Sequence, residues 1–96
     1  MIHVIYVKKK WFDLIASGEK KEEYRELKPY WQKRLLKFKK RDLLKFKNGY
    51  NKNSDSLIVE FKGYTIKKPN SLWTEIDNIY NDCYAIHLGE IISWDK

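Results

Sequence analysis

Ninety-six residues suit one small domain spanning residues 1–96, and no shift in composition marks a second. Twenty basic residues against thirteen acidic ones leave a formal charge of +7, which favours polyanionic partners and nucleic acid above all. The single cysteine, Cys83, excludes an internal disulfide and a cysteine zinc site, and two well-separated histidines argue against a structural metal, so no cofactor is implied.

The first apolar run, Ile2 to Val7, is too short for a secretory signal and is followed by Lys8, Lys9 and Lys10, the wrong order of charge. No stretch reaches the length of a membrane span. A cytoplasmic protein without a membrane partner is expected. Four Trp, seven Tyr and four Phe supply the bulky rings that a small core needs, since each ring buries about 150–250 Å².

His3 to Val7 is β-branched and aromatic and predicts the first strand. Lys9 to Ser17 shifts to helical spacing, with Trp11, Phe12, Ile15 and Ala16 on one face. Gly18 suits the left-handed residue that ends such a helix. From Glu19 to Leu27, seven of nine residues are charged. Propensity there favours a surface helix, whereas a strand would put Lys21, Glu23 and Arg25 on one face and Glu22, Tyr24 and Glu26 on the other.

Pro29 suits the first turn of a second helix, which Tyr30, Trp31, Arg34, Leu35 and Phe38 continue. Lys28 to Lys47 holds nine basic residues and one acidic residue, Asp42. That concentration reads either as a solvated face or as an anion-binding surface. Asp42 to Phe46 predicts a strand, Asn48-Gly49 a reversal, and Ser56 to Tyr64 a strand with Leu57, Val59 and Phe61 on one face. Pro69 to Asn81 is polar and reads either as a loop or as a loop with a short helix near residues 72–76. Cys83 to Leu88 and Glu90 to Trp94 predict two closing strands broken at Gly89. His3 and His87 fall in strand-like runs and read as packing or edge residues, and Cys83 as an inert core thiol.

The segment Gly18-Glu19-Lys20-Lys21-Glu22-Glu23-Tyr24-Arg25 has the spacing G-x-K-x-x-E-x-R. Lys28-Pro29-Tyr30-Trp31-Gln32-Lys33-Arg34 and His87-Leu88-Gly89-Glu90-Ile91-Ile92 accompany it. In these residues the chain resembles the ASCH family, small domains related in fold to the PUA RNA-binding domain. The likeness runs from near Val4 to Ile92. It implies an α+β, PUA-like small mixed β-barrel of about five to six strands with two flanking helices. It also implies a strand, not a helix, at Glu23 to Arg25.

On one strand face, Glu23 and Arg25 lie about 6.6–7 Å apart at their α-carbons. The arginine can grip a phosphate or carboxylate while the glutamate accepts from a base or orients a water. Lys20 joins them only if the chain is still turning after Gly18. The resemblance implies RNA or a modified nucleotide as the ligand, in a cleft lined by Lys20, Glu23 and Arg25. Lys28, Lys33, Arg34, Lys37 and Lys40 are expected to gather the phosphate backbone, and Tyr50, in the loop after Asn48-Gly49, to stack on a base.

Relatives in this family include small amidohydrolases that remove an acyl group from a modified cytidine, using a lysine and a threonine of the motif and a later glutamate. Lys20 matches the lysine, Glu23 stands in the threonine's place, and Glu60, Glu75 and Glu90 fit the later glutamate by type alone. A ribonuclease or amidohydrolase with Lys20, Glu23 and Arg25 as catalytic residues is therefore one alternative. A basic module that docks an acidic protein partner is another.

Overall fold

The computed structural model describes residues 1–51 and 53–95. Strand β1 (Ile2–Val7) leads into helix α1 (Lys9–Ala16), strand β2 (Glu22–Arg25) and helix α2 (Pro29–Leu35). Strands β3 (Leu43–Asn48) and β4 (Ser56–Lys67) follow, then a 3-10 turn (Ser71–Trp73) and strand β5 (Cys83–Asp95). The strands form one curled, half-barrel sheet in the order β1-β3-β4-β5-β2. β1 pairs parallel with β3, and every other neighbouring pair is antiparallel. Among the described residues the architecture is α+β with five strands and two α-helices, compatible with the small mixed barrel that the resemblance implied.

Alternation puts Ile5 and Val7 of β1, Leu44 and Phe46 of β3, and Leu57, Val59 and Phe61 of β4 on the concave face. Trp11, Phe12 and Ile15 of α1 close over them, with Leu35 of α2. Each such aliphatic or aromatic side chain contributes about 1.5–3 kcal/mol by leaving water. Gly18 then stops α1 at φ +84°, and the Lys20 amide bonds back to the Leu14 carbonyl at 3.0 Å. The chain is still turning there, so Lys20 escapes strand parity.

β3 and β4 run past their expected ends, to Asn48 and Lys67, and three other differences bear on the turns and the bulge. Helical spacing carried α2 through Phe38, but the helix ends at Leu35. Few apolar residues remain in 36–41 to hold another turn. Instead the Asp42 carboxylate accepts from the Lys39 amide at 2.9 Å, and Arg41 adopts φ +77° to turn the chain into β3. The short helix expected near residues 72–76 is a single 3-10 turn one residue earlier, capped by the Asn70 side chain accepting from the Leu72 amide at 3.0 Å.

The third difference is β5, which continues through Gly89 as one strand. Between the pairs Val59↔Ile91 and Phe61↔Leu88, β5 has one residue more than β4, a β-bulge around Gly89 and Glu90. The Glu60 carboxylate accepts the Glu90 amide at 3.0 Å. Gly89 is needed for space rather than for its φ: a Cβ there would lie 2.8 Å from Glu60 Cβ. Among the described residues, no helix is long and apolar enough to cross a membrane.

Candidate functional site

β2 is rich in charge, yet it is held as a strand by β5 through the pairs Glu23↔Ile86 and Arg25↔Tyr84. Ile86 and Tyr84 belong to the concave core, so Glu23 and Arg25 share that face. Glu23 is 5% exposed. Its Oε2 accepts from Arg25 Nη2 at 2.6 Å, and its Oε1 faces the Lys20 ammonium at 3.3 Å.

Lys20 lies beneath this pair, 2% exposed. Its ammonium donates to the Trp73 carbonyl and sits 4.9 Å from the centres of both the Trp11 and Tyr24 rings. Burial pulls the Lys20 pKa below its ordinary value, and Glu23 only partly offsets that. The ammonium is committed to protein partners. It supports the cleft floor and is not part of the cleft surface.

Arg25 also donates from Nη2 to the Tyr6 carbonyl at 3.0 Å, and Arg34 Nη2 donates to the Val4 carbonyl at 2.9 Å. Val4 and Tyr6 share one parity on β1, the outermost strand on its side of the sheet among the described residues. The two guanidiniums therefore cap edge carbonyls, and the Trp31 ring lies 5.0 Å from Arg25 and 4.8 Å from Arg34.

Above this floor opens a cleft of about 690 Å³. Tyr6, Trp11, Trp31 and Trp73 give it aromatic walls. At its mouth Tyr50, 86% exposed, stacks on Tyr6 with ring centres 4.5 Å apart. Two ion pairs occupy the rim: Lys8–Glu75 at 3.1 Å and Lys28–Glu26 at 3.6 Å. Burial pushes the Glu75 carboxyl up, but hydrogen bonds from Lys8 and Trp11 outweigh it and the net shift is downward. Among the described residues, no three His, Cys, Asp or Glu side chains converge as metal ligands.

The expected residues thus separate. Glu23, Arg25, Lys28 and Tyr50 meet at the cleft. Lys20 underlies it, and Arg34 is tied to β1. Lys33, Lys37 and Lys40 are exposed but outside the cleft. Tyr6, Trp73 and the Lys8–Glu75 pair had no motif to mark them. Tyr6 could have been found by parity, since it alternates with the buried Ile5 and Val7. Of the three later glutamates, Glu75 reaches the cleft, whereas Glu60 and Glu90 stand at the β4–β5 bulge. Compared with known proteins, the chain matches no family model, no curated protein and no solved structure.

Proposed function

We propose that the chain is an ASCH-type, PUA-like domain that binds RNA or a modified nucleotide through this cleft. The observation that carries the reading is the aromatic-walled hollow with the Glu23–Arg25 pair on its floor. Such a site takes a heterocycle by stacking, while the carboxylate accepts from base N–H groups and the guanidinium donates to a base carbonyl or phosphate.

Charge supports a division of labour. The cleft residues carry three cations, Lys8, Arg25 and Lys28, against three anions, Glu23, Glu26 and Glu75. The basic excess lies elsewhere, including the exposed Lys33, Lys37 and Lys40. In this reading the base enters the cleft and the phosphates run over α2 and the turn after it. Affinity for RNA then falls steeply with salt, while discrimination between bases does not.

One observation favours an enzymatic alternative. Glu75 lines the same cleft as Glu23, with Lys20 buried below, so a carboxylate from a later segment joins the lysine and glutamate of the motif. An acylated-cytidine amidohydrolase or a ribonuclease would use the carboxylates to move protons.

One experiment separates these readings. Single-stranded and hairpin RNAs and a panel of modified nucleosides are offered to the wild type and to Glu23→Ala at near-physiological salt, with products followed by mass spectrometry. Selective binding without product, weakened in the variant, is the expected result. Product lost in the variant makes the protein an enzyme. Indiscriminate, salt-labile binding of any polyanion overturns the cleft reading and leaves a basic interaction module.

A further inference from the structure

The opposite face of the sheet carries a second polar cluster, of which Glu22, Thr65, Lys67 and His87 lie outside the cleft lining and Tyr24 belongs to it. Glu22 of β2 lies opposite His87 of β5, and Thr65 of β4 lies opposite Ala85. Cys83 and Ala85 are buried under Tyr24, Trp73 and Ile76, and His87 of the middle strand stands between the groups from β2 and β4. His87 Nδ1 is 3.1 Å from Glu22 Oε2, and His87 Nε2 is 2.9 Å from Thr65 Oγ1. Glu22 is itself fixed: the Tyr24 hydroxyl donates to Oε1 at 2.7 Å, and Lys67 Nζ lies 3.1 Å from both carboxylate oxygens.

We infer that Thr65, His87 and Glu22 form a hydroxyl–imidazole–carboxylate relay in which Thr65 is an activated nucleophile toward acyl and phosphonyl donors. With the Glu22 carboxylate 3.1 Å from Nδ1, its charge favours the Nδ1–H tautomer, in which Nε2 presents its lone pair to the Thr65 hydroxyl. That is the arrangement of nucleophile, base and orienting group on which acyl transfer depends. Thr65 is exposed. Among the described residues, pairing with β3 stops at Glu60 and the strand around Thr65 pairs on the β5 side alone, so a donor can approach.

In the step itself, Thr65 Oγ bonds to the carbonyl carbon of an activated ester and its proton passes to His87 Nε2. The carbon–oxygen bond to the leaving group then breaks, and the departing oxygen takes that proton. Water attacks the resulting threonyl ester in the second half, His87 again acting as base, and releases the acid.

The test is labelling by a fluorophosphonate, followed by site mapping and by hydrolysis of p-nitrophenyl acetate. The wild type should be labelled at Thr65, Thr65→Ser should keep the label, and Thr65→Val and His87→Gln should lose it at least tenfold. Lys9→Ala, exposed on α1, should leave labelling unchanged. Circular dichroism identifies any variant that has lost the fold, and the Ser variant provides the comparison in that case. An unlabelled wild type, a label elsewhere, or labelling indifferent to His87→Gln overturns the inference.

Discussion

Arg25 of β2 donates from a single nitrogen to Glu23 and to the backbone carbonyl of Tyr6 on β1. β1 and β2 are the two outermost strands of the sheet, so this side chain bridges the seam where the half-barrel fails to close. The cleft lies at that seam. Its floor residue is therefore also part of what holds the sheet ends together.

Removing the guanidinium should cost both roles. Arg25→Ala leaves buried Glu23 with Lys20 alone and uncaps the Tyr6 carbonyl, a loss of about 1.5–3 kcal/mol. Arg25→Lys lacks the fork and should recover only part of it. Urea unfolding midpoints check both. An unchanged midpoint in Arg25→Ala would remove the bridging role.

Lys20 and Glu23 are buried together and should couple. Lys20→Met and Glu23→Gln each leave one charge short of a partner, whereas the double variant leaves neither. A double-mutant cycle should show about 1–3 kcal/mol of coupling. The Lys20 pKa is held below 10.5 in the folded state. Between the folded and unfolded values the unfolded chain binds more protons, so the contribution of Lys20 to stability rises with pH. Lys20→Met should abolish that alkaline gain, read from denaturation at a series of alkaline pH values.

Asp42 gives a slope of the same sign at the acid end. The hydrogen bond with His3, then the Lys39 amide, lowers its pKa from 3.8 to about 2. Its contribution is present above 3.8 and is lost as pH falls toward 2. Asp42→Asn should therefore flatten the acid limb of the stability curve. An acid limb identical to the wild type would remove Asp42 from that account.

Gly89→Ala tests the bulge. The new methyl would meet Glu60 Cβ at 2.8 Å and Lys62 Cε at 2.7 Å. The lysine end can swing away, but Glu60 Cβ is fixed by β4, so a loss of about 1–3 kcal/mol is expected. Thermal melting checks it, and no change would mean that the two strands separate freely at this point.

The strands and α1 were legible because alternation and helical spacing report burial directly. Leu57, Val59 and Phe61, or Trp11, Phe12 and Ile15, have few other arrangements open to them. β2 was not legible from composition, since Glu22 to Arg25 is a strand only by virtue of pairing with β5, which is distant in sequence. Gly89 misled because a glycine that makes room for Glu60 looks the same as one that stops a strand. In the site, Glu23 and Arg25 were visible from their spacing and the motif. The aromatic wall from Trp73 was not, because it is delivered by a polar loop with no periodicity. Lys20 was visible as a residue of interest but not as a buried one, because its partners are a backbone carbonyl and two rings.

Tyr50 offers the sharpest separation of stability from recognition. It is 86% exposed and rests on Tyr6 at the mouth of the cleft, so truncation removes little buried surface. Tyr50→Ala should shift stability by less than about 0.5 kcal/mol. If a base enters the cleft and uses this ring, the same change should weaken binding by about 1–3 kcal/mol, and Tyr50→Phe should restore it, because stacking needs the ring and not the hydroxyl. The salt slope should be unaltered, since no charge is lost. Titrating the wild type and both variants with single-stranded RNA at two salt concentrations measures all three quantities. Binding indifferent to Tyr50→Ala would place the ligand deeper, against Trp31 and Trp73, or outside the cleft. Repeating the titration with Trp31→Ala would separate those two positions.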